Sequence, residues 1–296
     1  SASGGAVFNN AAMNLNSADF KKNKSVNYGG AVYNGAGSVM AFSAGKAVFS
    51  QNNSSNVSGS ASGGAIASEN AALTFTDSDT LFSANNASGF AGALYSVDSN
   101  ISFTRGKTEF KENRSGNSAG ALYGKASKIS FAGGSVLFEA NSSANKGGAV
   151  FLQQSTVPFS NASFINNSVT AADGKGGAVY AEDSKLDFER TALFSGNISQ
   201  GGGAAVYLKD SSASFDADIK FLSNNSASGE GGAVYADGSK LRFGKTSLFS
   251  GNISQGGGAA VHLKDSSASF DEAAEFVSNA SASGEGGAVF IARESS

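Results

Sequence analysis

Few side chains in this sequence are suited to catalysis. His262 is the only histidine and there is no cysteine, so the sequence offers neither a His-based catalytic triad nor a thiolate or multi-histidine metal site. Two close acidic pairs, Glu182 with Asp183 and Asp216 with Asp218, resemble the acidic clusters of polysaccharide-cleaving enzymes. In an internal copy of this segment, glycine or alanine replaces one member of each pair. We therefore predict no catalytic residue, no metal and no cofactor, and a protein that is not an enzyme.

The glycine pairs do not form a phosphate-binding loop, because the pattern Gly-x-x-x-x-Gly-Lys followed by Ser or Thr is absent. They belong to tetrads of the Gly-Gly-Ala-Val type that recur along the chain. Glycine is expected to supply a positive φ angle at a corner and to let neighbouring backbones approach closely. Three tetrads are candidate binding motifs with a mainly structural role: Gly63, Gly64, Ala65, Ile66, Gly147, Gly148, Ala149, Val150, Gly231, Gly232, Ala233 and Val234.

A second motif, Phe-x-x-Asn, alternates with the tetrads. The Phe is expected to point inward, and the Asn suits a left-handed turn that follows it. Asn residues stacked at one position can also form a ladder of side-chain amides. Direct contact with a ligand is the alternative role for the candidate residues of this motif: Phe82, Asn85, Phe194, Asn197, Phe249 and Asn252.

An aromatic residue or histidine follows most tetrads. The preceding Val, Ile or Leu must face inward, so a period of two sends the next side chain outward. The sequence thus predicts an exposed aromatic stripe that is either covered by a neighbouring loop or serves as a binding ladder. Its members are Tyr33, Tyr95, Tyr123, Phe151, Tyr180, Tyr207, Tyr235 and His262.

Two segments, 53–62 and 168–175, are longer than their counterparts between the same motifs. Extended loops on a rigid scaffold often carry recognition. The candidate loop residues are Asn53, Ser54, Ser55, Asn56, Val57, Thr170, Asp173 and Lys175.

The elements that position these residues are short strands in a repeat. Successive tetrads begin 25 to 34 residues apart, a period typical of solenoids. Apolar residues alternate with polar ones in three places per repeat, as in Ile101-Ser102-Phe103, and no helical spacing is sustained. We predict an all-β fold, a right-handed parallel β-helix (β-solenoid) with three short strands per coil and about ten to eleven coils. It forms a single domain over residues 1–296, with a tandem copy at 176–230 and 231–285 that matches at 42 of 55 positions.

Charge and hydropathy exclude two classes of partner. The net charge of −3 does not provide the basic face that nucleic acid requires. No run of 18 or more apolar residues is present, so we expect no direct membrane insertion of this segment.

The alternation of Gly-Gly-Ala-[Ile/Leu/Val] tetrads with Phe-x-x-Asn motifs covers essentially the whole chain and resembles the polymorphic membrane proteins of Chlamydia. These are autotransporters with a β-helical surface passenger. The resemblance implies a passenger fragment of a larger protein, exposed outside the outer membrane or secreted after processing. It also implies attachment to host cells and self-association. The sequence departs from the family pattern at Ala91 and Ala119, which replace the first Gly, and at Gly203 and Gly258, whose tetrads read Gly-Ala-Ala-Val.

The leading functional hypothesis is an adhesin whose partner is a host-cell surface protein receptor. One alternative is a structural stalk with no receptor site, which forms homo-oligomers by end-to-end or side association. The other is a carbohydrate-active β-helix enzyme, which would require a cleft lined by acids.

Overall fold

The computed structural model describes residues 2–282 and 286–292, and within them it contains strands and no helix. All strand pairings join one coil to the next in parallel, for example Val7–Asn9 with Val32–Asn34. The predicted parallel β-solenoid with three main strands per coil is confirmed. In the described part of the chain, eleven strands of the first sheet mark out about ten turns.

The first sheet is built from the strands that begin at the last residue of each tetrad. It starts there because the Val, Ile or Leu of the tetrad points into the core while the residue after it points away. Its strands are Val7–Asn9, Val32–Asn34, Ile66–Glu69, Leu94–Val97, Leu122–Lys125, Val150–Gln153, Val179–Glu182, Val206–Lys209, Val234–Asp237, Val261–Lys264 and Val289–Ala292.

The second sheet takes two strands from most coils, one for each inward Phe. Continuous strands at 128–139 and 156–165 join its two halves. Its strands are Ala12–Leu15, Ala18–Lys21, Val39–Ser43, Lys46–Ser50, Ala72–Thr76, Asp79–Ser83, Asn100–Thr104, Lys107–Lys111, Lys128–Glu139, Thr156–Ile165, Lys185–Phe188, Ala192–Ser195, Ser212–Phe215, Ile219–Leu222, Lys240–Phe243, Ser247–Ser250, Ser267–Phe270 and Ala274–Val277.

A third sheet follows the Asn of each Phe-x-x-Asn motif and was not predicted. Each of its strands has two residues, too few for an alternating pattern to be visible in the sequence. The strands are Lys24–Ser25, Asn53–Ser54, Asn86–Ala87, Arg114–Ser115, Ser142–Ser143, Ser168–Val169, Ile198–Ser199, Asn225–Ser226, Ile253–Ser254 and Ala280–Ser281.

Two columns of Phe rings fill the core along the solenoid axis. Rings in one column stack on each other, from 4.6 Å between the centroids of Phe75 and Phe103 to 5.3 Å between those of Phe131 and Phe159. The two columns meet edge to face, as Phe103 and Phe110 do. Burial of each ring contributes about 1.5–3 kcal/mol, and stacked coils cover both faces of every layer.

The Asn residues of the Phe-x-x-Asn motifs form the expected amide ladder. Asn85 donates a hydrogen bond from Nδ2 to Oδ1 of Asn113, and the same contact repeats in the coils on either side. The left-handed turn was assigned to the wrong residue, because Ala84 and its counterparts just before each Asn have the positive φ angle. From Asn52 to Asn252 the Asn of each motif is fully buried and links the coils.

The tetrad glycines make the corner before the first sheet. Gly147 has a φ angle of +62°, and the same conformation is adopted by Ala91 and Ala119, where the first Gly is replaced. A Cβ atom on Gly148 would lie 2.0 Å from the carbonyl oxygen of Gly177 in the next coil. The first glycine therefore serves the turn, and the second serves the close approach of coils.

Candidate functional site

The residues that follow the tetrads form one row across the first sheet, here called the aromatic row. Neighbouring rings are in contact, with centroids 4.7 Å apart for Tyr207 and Tyr235 and 5.3 Å apart for Tyr95 and Tyr123. In order along the solenoid, the row consists of Phe8, Tyr33, Ala67, Tyr95, Tyr123, Phe151, Tyr180, Tyr207, Tyr235, His262 and Phe290.

Ala67 interrupts the row, and a tyrosine from outside it fills the gap. The ring of Tyr28 lies 6.3 Å from Tyr33 and 5.8 Å from Tyr95, the row members on either side of Ala67. The sequence carried a signal for this exchange, since Tyr28 is the only tyrosine that does not follow a tetrad.

The prediction that this stripe is exposed is wrong for most of its members. Tyr33 and Tyr95 are half-buried. The others are buried: Tyr123, Phe151, Tyr180, Tyr207, Tyr235 and His262. Of the two arrangements expected from the sequence, a stripe covered by a neighbouring segment is therefore the one observed.

The residues directly before the first tetrad position are here called the covering row, and those with large side chains cover the aromatic row. The Phe90 ring lies 4.9 Å from that of Tyr123. Farther along, Lys146 places its Nζ 4.6 Å from the ring centroid of Tyr180, and Lys175 places its own 5.1 Å from that of Tyr207. Lys146 and Lys175 form a parallel β-bridge with each other, so the two lysines lie in successive coils.

Charged residues flank the other side of the aromatic row, at the ends of the first-sheet strands. Glu182, Lys209, Asp237 and Lys264 are neighbours in register. Lys209 Nζ lies 2.8 Å from one carboxylate oxygen of Glu182, and Lys146 Nζ lies 3.9 Å from the other. The hydrogen bond from Lys209 and the charge of Lys146 hold the pKa of Glu182 below its usual range, so it stays ionised at neutral pH.

The two enlarged loops differ from the prediction at their starts. Asn53 and Ser54 belong to the third sheet, so they are not part of the protrusion, whose exposed tip runs over residues 57–60. Ser55 and Asn56 are half-buried, and Val57 is fully exposed. The later loop likewise begins in the third sheet at 168–169.

The later loop and the aromatic row meet in one groove, here called the lysine–tyrosine groove. It has a volume of about 390 Å³. Thr170 and Asp173 are exposed, and Lys175 at the end of the loop is half-buried. The groove is lined by Asn145, Lys146, Asp173, Lys175, Tyr180, Tyr207, Lys209 and Asp237.

The groove contains residues from two separate sets of predicted candidates, together with residues that were not predicted. The loop residues Asp173 and Lys175 and the stripe residues Tyr180 and Tyr207 were predicted candidates. Lys146 was missed, although it precedes a tetrad in the same phase as Lys175. Aligning the repeats on their corner glycines brings the two lysines together.

The tyrosine hydroxyls of the groove are hydrogen-bond donors and acceptors at neutral pH. Lys175 Nζ donates to the hydroxyl of Tyr207 at 3.4 Å. Burial, followed by the charge of Glu182, raises the pKa of Tyr180. Burial also raises the pKa of Tyr207, with the neighbouring tyrosines and Asp237 adding to the shift. Both hydroxyls therefore keep their protons.

The motif residues proposed as binding candidates lie in the interior. The tetrads beginning at Gly63, Gly147 and Gly231 are buried throughout, as are the Phe and Asn of the three candidate Phe-x-x-Asn motifs. Their side chains support the surface from within.

The acidic residues considered for catalysis are separated by their roles in the fold. Glu182 pairs with lysines, whereas Asp183 occupies a corner with a φ angle of +49°. Asp216 forms an ion pair with Arg242 at 2.7 Å. Across residues 2–282 and 286–292, no three side chains of the His, Asp or Glu type are grouped as metal ligands would be.

Comparison with known families matches the repeat itself. The model of the Chlamydia polymorphic membrane protein repeat matches four segments, at residues 135–153, 161–182, 191–209 and 221–237. These four segments are similar to Chlamydia polymorphic membrane protein repeats. The segment at 161–182 contains the enlarged loop and Tyr180, and the segment at 191–209 contains Tyr207 and Lys209. The groove therefore lies within matched repeats.

The match confirms the resemblance stated from the sequence. Polymorphic membrane proteins are chlamydial surface proteins, and their repeat family is not an enzyme family. No curated protein and no solved structure gives a significant match to the chain. Within the described residues, no helix has the length and apolar character needed to cross a membrane.

Proposed function

We propose that this chain is the surface-exposed passenger of a bacterial adhesin, which binds a host-cell surface protein receptor and supports attachment. The polymorphic membrane protein repeats support exposure outside the outer membrane, or release after processing. The observation that carries the proposal is the lysine–tyrosine groove. It combines an enlarged loop, ammonium groups and tyrosine hydroxyls on a rigid solenoid.

The scaffold is suited to holding such a groove in place. Tyr180 and Tyr207 belong to strands that hydrogen-bond to neighbours on both sides, and their rings stack at 5.0 Å. A site built on paired strands keeps its geometry better than one built on loops alone. The proposed protein binds and does not catalyse.

Attachment is tested with beads that carry the folded chain and are incubated with cultured host cells. Saturable binding that is lost when proteases strip the cell surface is expected. A shortened loop over 170–174 should weaken binding. Removal of the exposed tip at 57–60, which lies away from the groove, is the matched control. Binding no stronger than that of an unrelated β-helix of similar size and charge would refute the proposal.

A second candidate function, self-association side by side, is favoured by a different surface. Leucines half-buried on the outer face of the second sheet recur in every second coil: Leu81, Leu137, Leu193 and Leu248. Leu137 and Leu193 line a mostly apolar groove of about 510 Å³ together with Ile165. Copies of the chain could bury these side chains against each other, as a stalk or assembly segment requires.

Sedimentation velocity at several concentrations tests this second function. We expect the wild type to form dimers as its concentration rises, and Leu193→Ser not to form them. Ser163→Ala, at the neighbouring position in register, is the control and should dimerise as the wild type does. A monomer at every concentration would exclude side-by-side association.

A further inference from the structure

The ammonium groups of the lysine–tyrosine groove are held in place. Lys146 Nζ lies over the rings of Phe151 and Tyr180, at 5.6 Å and 4.6 Å from their centroids. Lys175 Nζ lies over Tyr207 at 5.1 Å and also donates to its hydroxyl. A cation over a ring face is attracted to it, which limits the motion of these flexible side chains. The lysines are therefore preorganised.

The charges of these lysines are compensated to different degrees. Lys146 and Lys209 share the carboxylate of Glu182. In the part of the chain that the structure describes, no carboxylate oxygen lies within 4.0 Å of Lys175 Nζ, although Asp173 lines the same groove. Lys175 therefore keeps donor positions open toward the groove.

The stacking of the rings decides which ligand chemistry fits. Tyr180 and Tyr207 lie 5° from parallel, and Phe151 meets Tyr180 edge-on at 5.2 Å. With Lys146 over Tyr180 and Lys175 over Tyr207, the groove has no open ring face on which a sugar could stack. It offers ammonium groups, hydroxyls and ring edges. These are donors for an oxyanion.

The surrounding carboxylates limit the charge of that ligand. Asp173 and Asp237 line the groove, and Glu182 lies beside Lys209. These carboxylates would repel a polyanion such as a sulfated glycan more strongly than they would repel one carboxylate flanked by amides. The volume of about 390 Å³ is near the lower end of ligand sites and suits one or two side chains.

We propose that the lysine–tyrosine groove binds a carboxylate side chain of an acidic peptide segment in a partner protein, with Lys175 as the ion-pairing group. The ring and the hydroxyl of Tyr207 position that ammonium. Asn145 donates to or accepts from the partner's backbone, and the Asp173 carboxylate accepts from a backbone N–H of the partner. This inference rests on the proposed function only in taking the partner to be a receptor. The chemistry assigned to the groove does not depend on it.

The tandem copy provides a natural comparison for Lys175. Glu230 precedes the corner Gly231 as Lys175 precedes Gly176, and the strand that follows retains its aromatic residue, Tyr235. The same corner therefore accepts a carboxylate in place of the ammonium. Lys175→Glu should fold as the wild type does, while the charge at this corner of the groove is reversed.

The test uses the full chain and a fluorescein-labelled peptide that carries one glutamate flanked by glycines, followed by fluorescence polarisation. The same peptide with glutamine in place of glutamate is the ligand control. Lys175→Gln is expected to weaken binding about tenfold, and Lys175→Glu more. Lys175→Arg, which keeps the positive charge, should bind the glutamate peptide about as well as the wild type does. Lys240→Gln, at an exposed lysine of the second sheet, should bind as the wild type does. Urea denaturation verifies that the variants are folded.

The outcomes separate this inference from the proposed function. Equal binding of the glutamate and glutamine peptides, or undiminished binding by Lys175→Gln, overturns the inference. If wild-type beads attach to cells and Lys175→Gln beads attach equally well, the inference falls while the adhesin proposal stands. Lys175-dependent peptide binding without attachment to cells supports the groove chemistry and rejects the adhesin proposal. Binding of heparin or sialyllactose in place of the glutamate peptide overturns the inference in favour of a glycan.

Discussion

Replacement of Asn85 by alanine should destabilise the solenoid strongly, because its side chain connects three coils. Its Oδ1 accepts hydrogen bonds from the backbone N–H and the Nδ2 of Asn52, each at 3.0 Å. Its Nδ2 donates to the carbonyl oxygen of Phe49 and to Oδ1 of Asn113, each at 2.9 Å. The side chain is fully buried, so water cannot replace these partners.

The expected loss follows from the groups left without a partner. In Asn85→Ala, the two Asn52 donors lose their acceptor in the interior. An unsatisfied buried donor costs about 1–3 kcal/mol, so we expect a loss of about 2–6 kcal/mol in the free energy of unfolding. Asn113 Oδ1 retains a donor, the backbone N–H of residue 85.

Urea denaturation followed by far-UV circular dichroism measures this loss. The adjacent Asn86→Ala is the matched control, since Asn86 is exposed and its one ladder bond, to Asn53 at 2.9 Å, lies in solvent. It should change the stability by less than about 0.5 kcal/mol. If both variants lose the same amount, the ladder does not hold the coils together as argued.

Three further predictions concern packing and titration. Gly148→Ala should cost about 1–3 kcal/mol, because its Cβ would meet the carbonyl oxygen of Gly177 and the neighbouring backbone would have to shift, as it has where Ala204 and Ala259 occupy the same tetrad position. Gly244→Ala, at a position where the tandem copy carries Glu, should be tolerated in the same urea assay. Burial lowers the pKa of His262 below its ordinary 6.5, so the free energy of unfolding should fall as the pH decreases from about 6.5 toward the folded-state pKa. Urea unfolding midpoints measured over a pH series check this, and in His262→Tyr the midpoint should not change over the same range. Burial, and secondly the charge of Glu182, raises the pKa of Tyr123 to about 12. The difference in absorbance between the wild type and Tyr123→Phe isolates this tyrosine, and it should show no ionisation of Tyr123 at pH 10.

Much of the fold was predictable because the inward residues follow simple periods. The tetrad Val, the two Phe columns and the Asn ladder each repeat once per coil, and their order along the chain sets their order in space. The third sheet was not predictable from periodicity, since strands such as Asn86–Ala87 are too short to alternate. Nor did the sequence show that the left-handed turn precedes the Asn, because residues as different as Lys22 and Ala84 adopt it.

The site was predictable only in its parts. A period of two correctly directed Tyr180 and Tyr207 away from the Phe core, but it could not reveal the segment that covers them. That cover comes from Lys146 and Lys175, which precede the corner glycines and reach over rings in their own and the next coil. Contacts between coils depend on register, and register becomes visible only when the repeats are aligned on their corners.

The covering row explains how one scaffold can present different surfaces. The buried aromatic row is almost constant in chemistry, whereas the covering row changes from Phe90 to Lys146 and Lys175, then to Gly202 and Glu230. Rings beneath that row are held by stacking on neighbouring coils, so each covering residue can change without loss of the core. Chemical specificity can therefore vary along the solenoid one coil at a time. On this argument the tandem copy is a second surface of opposite charge at the same corner, built on an unchanged frame.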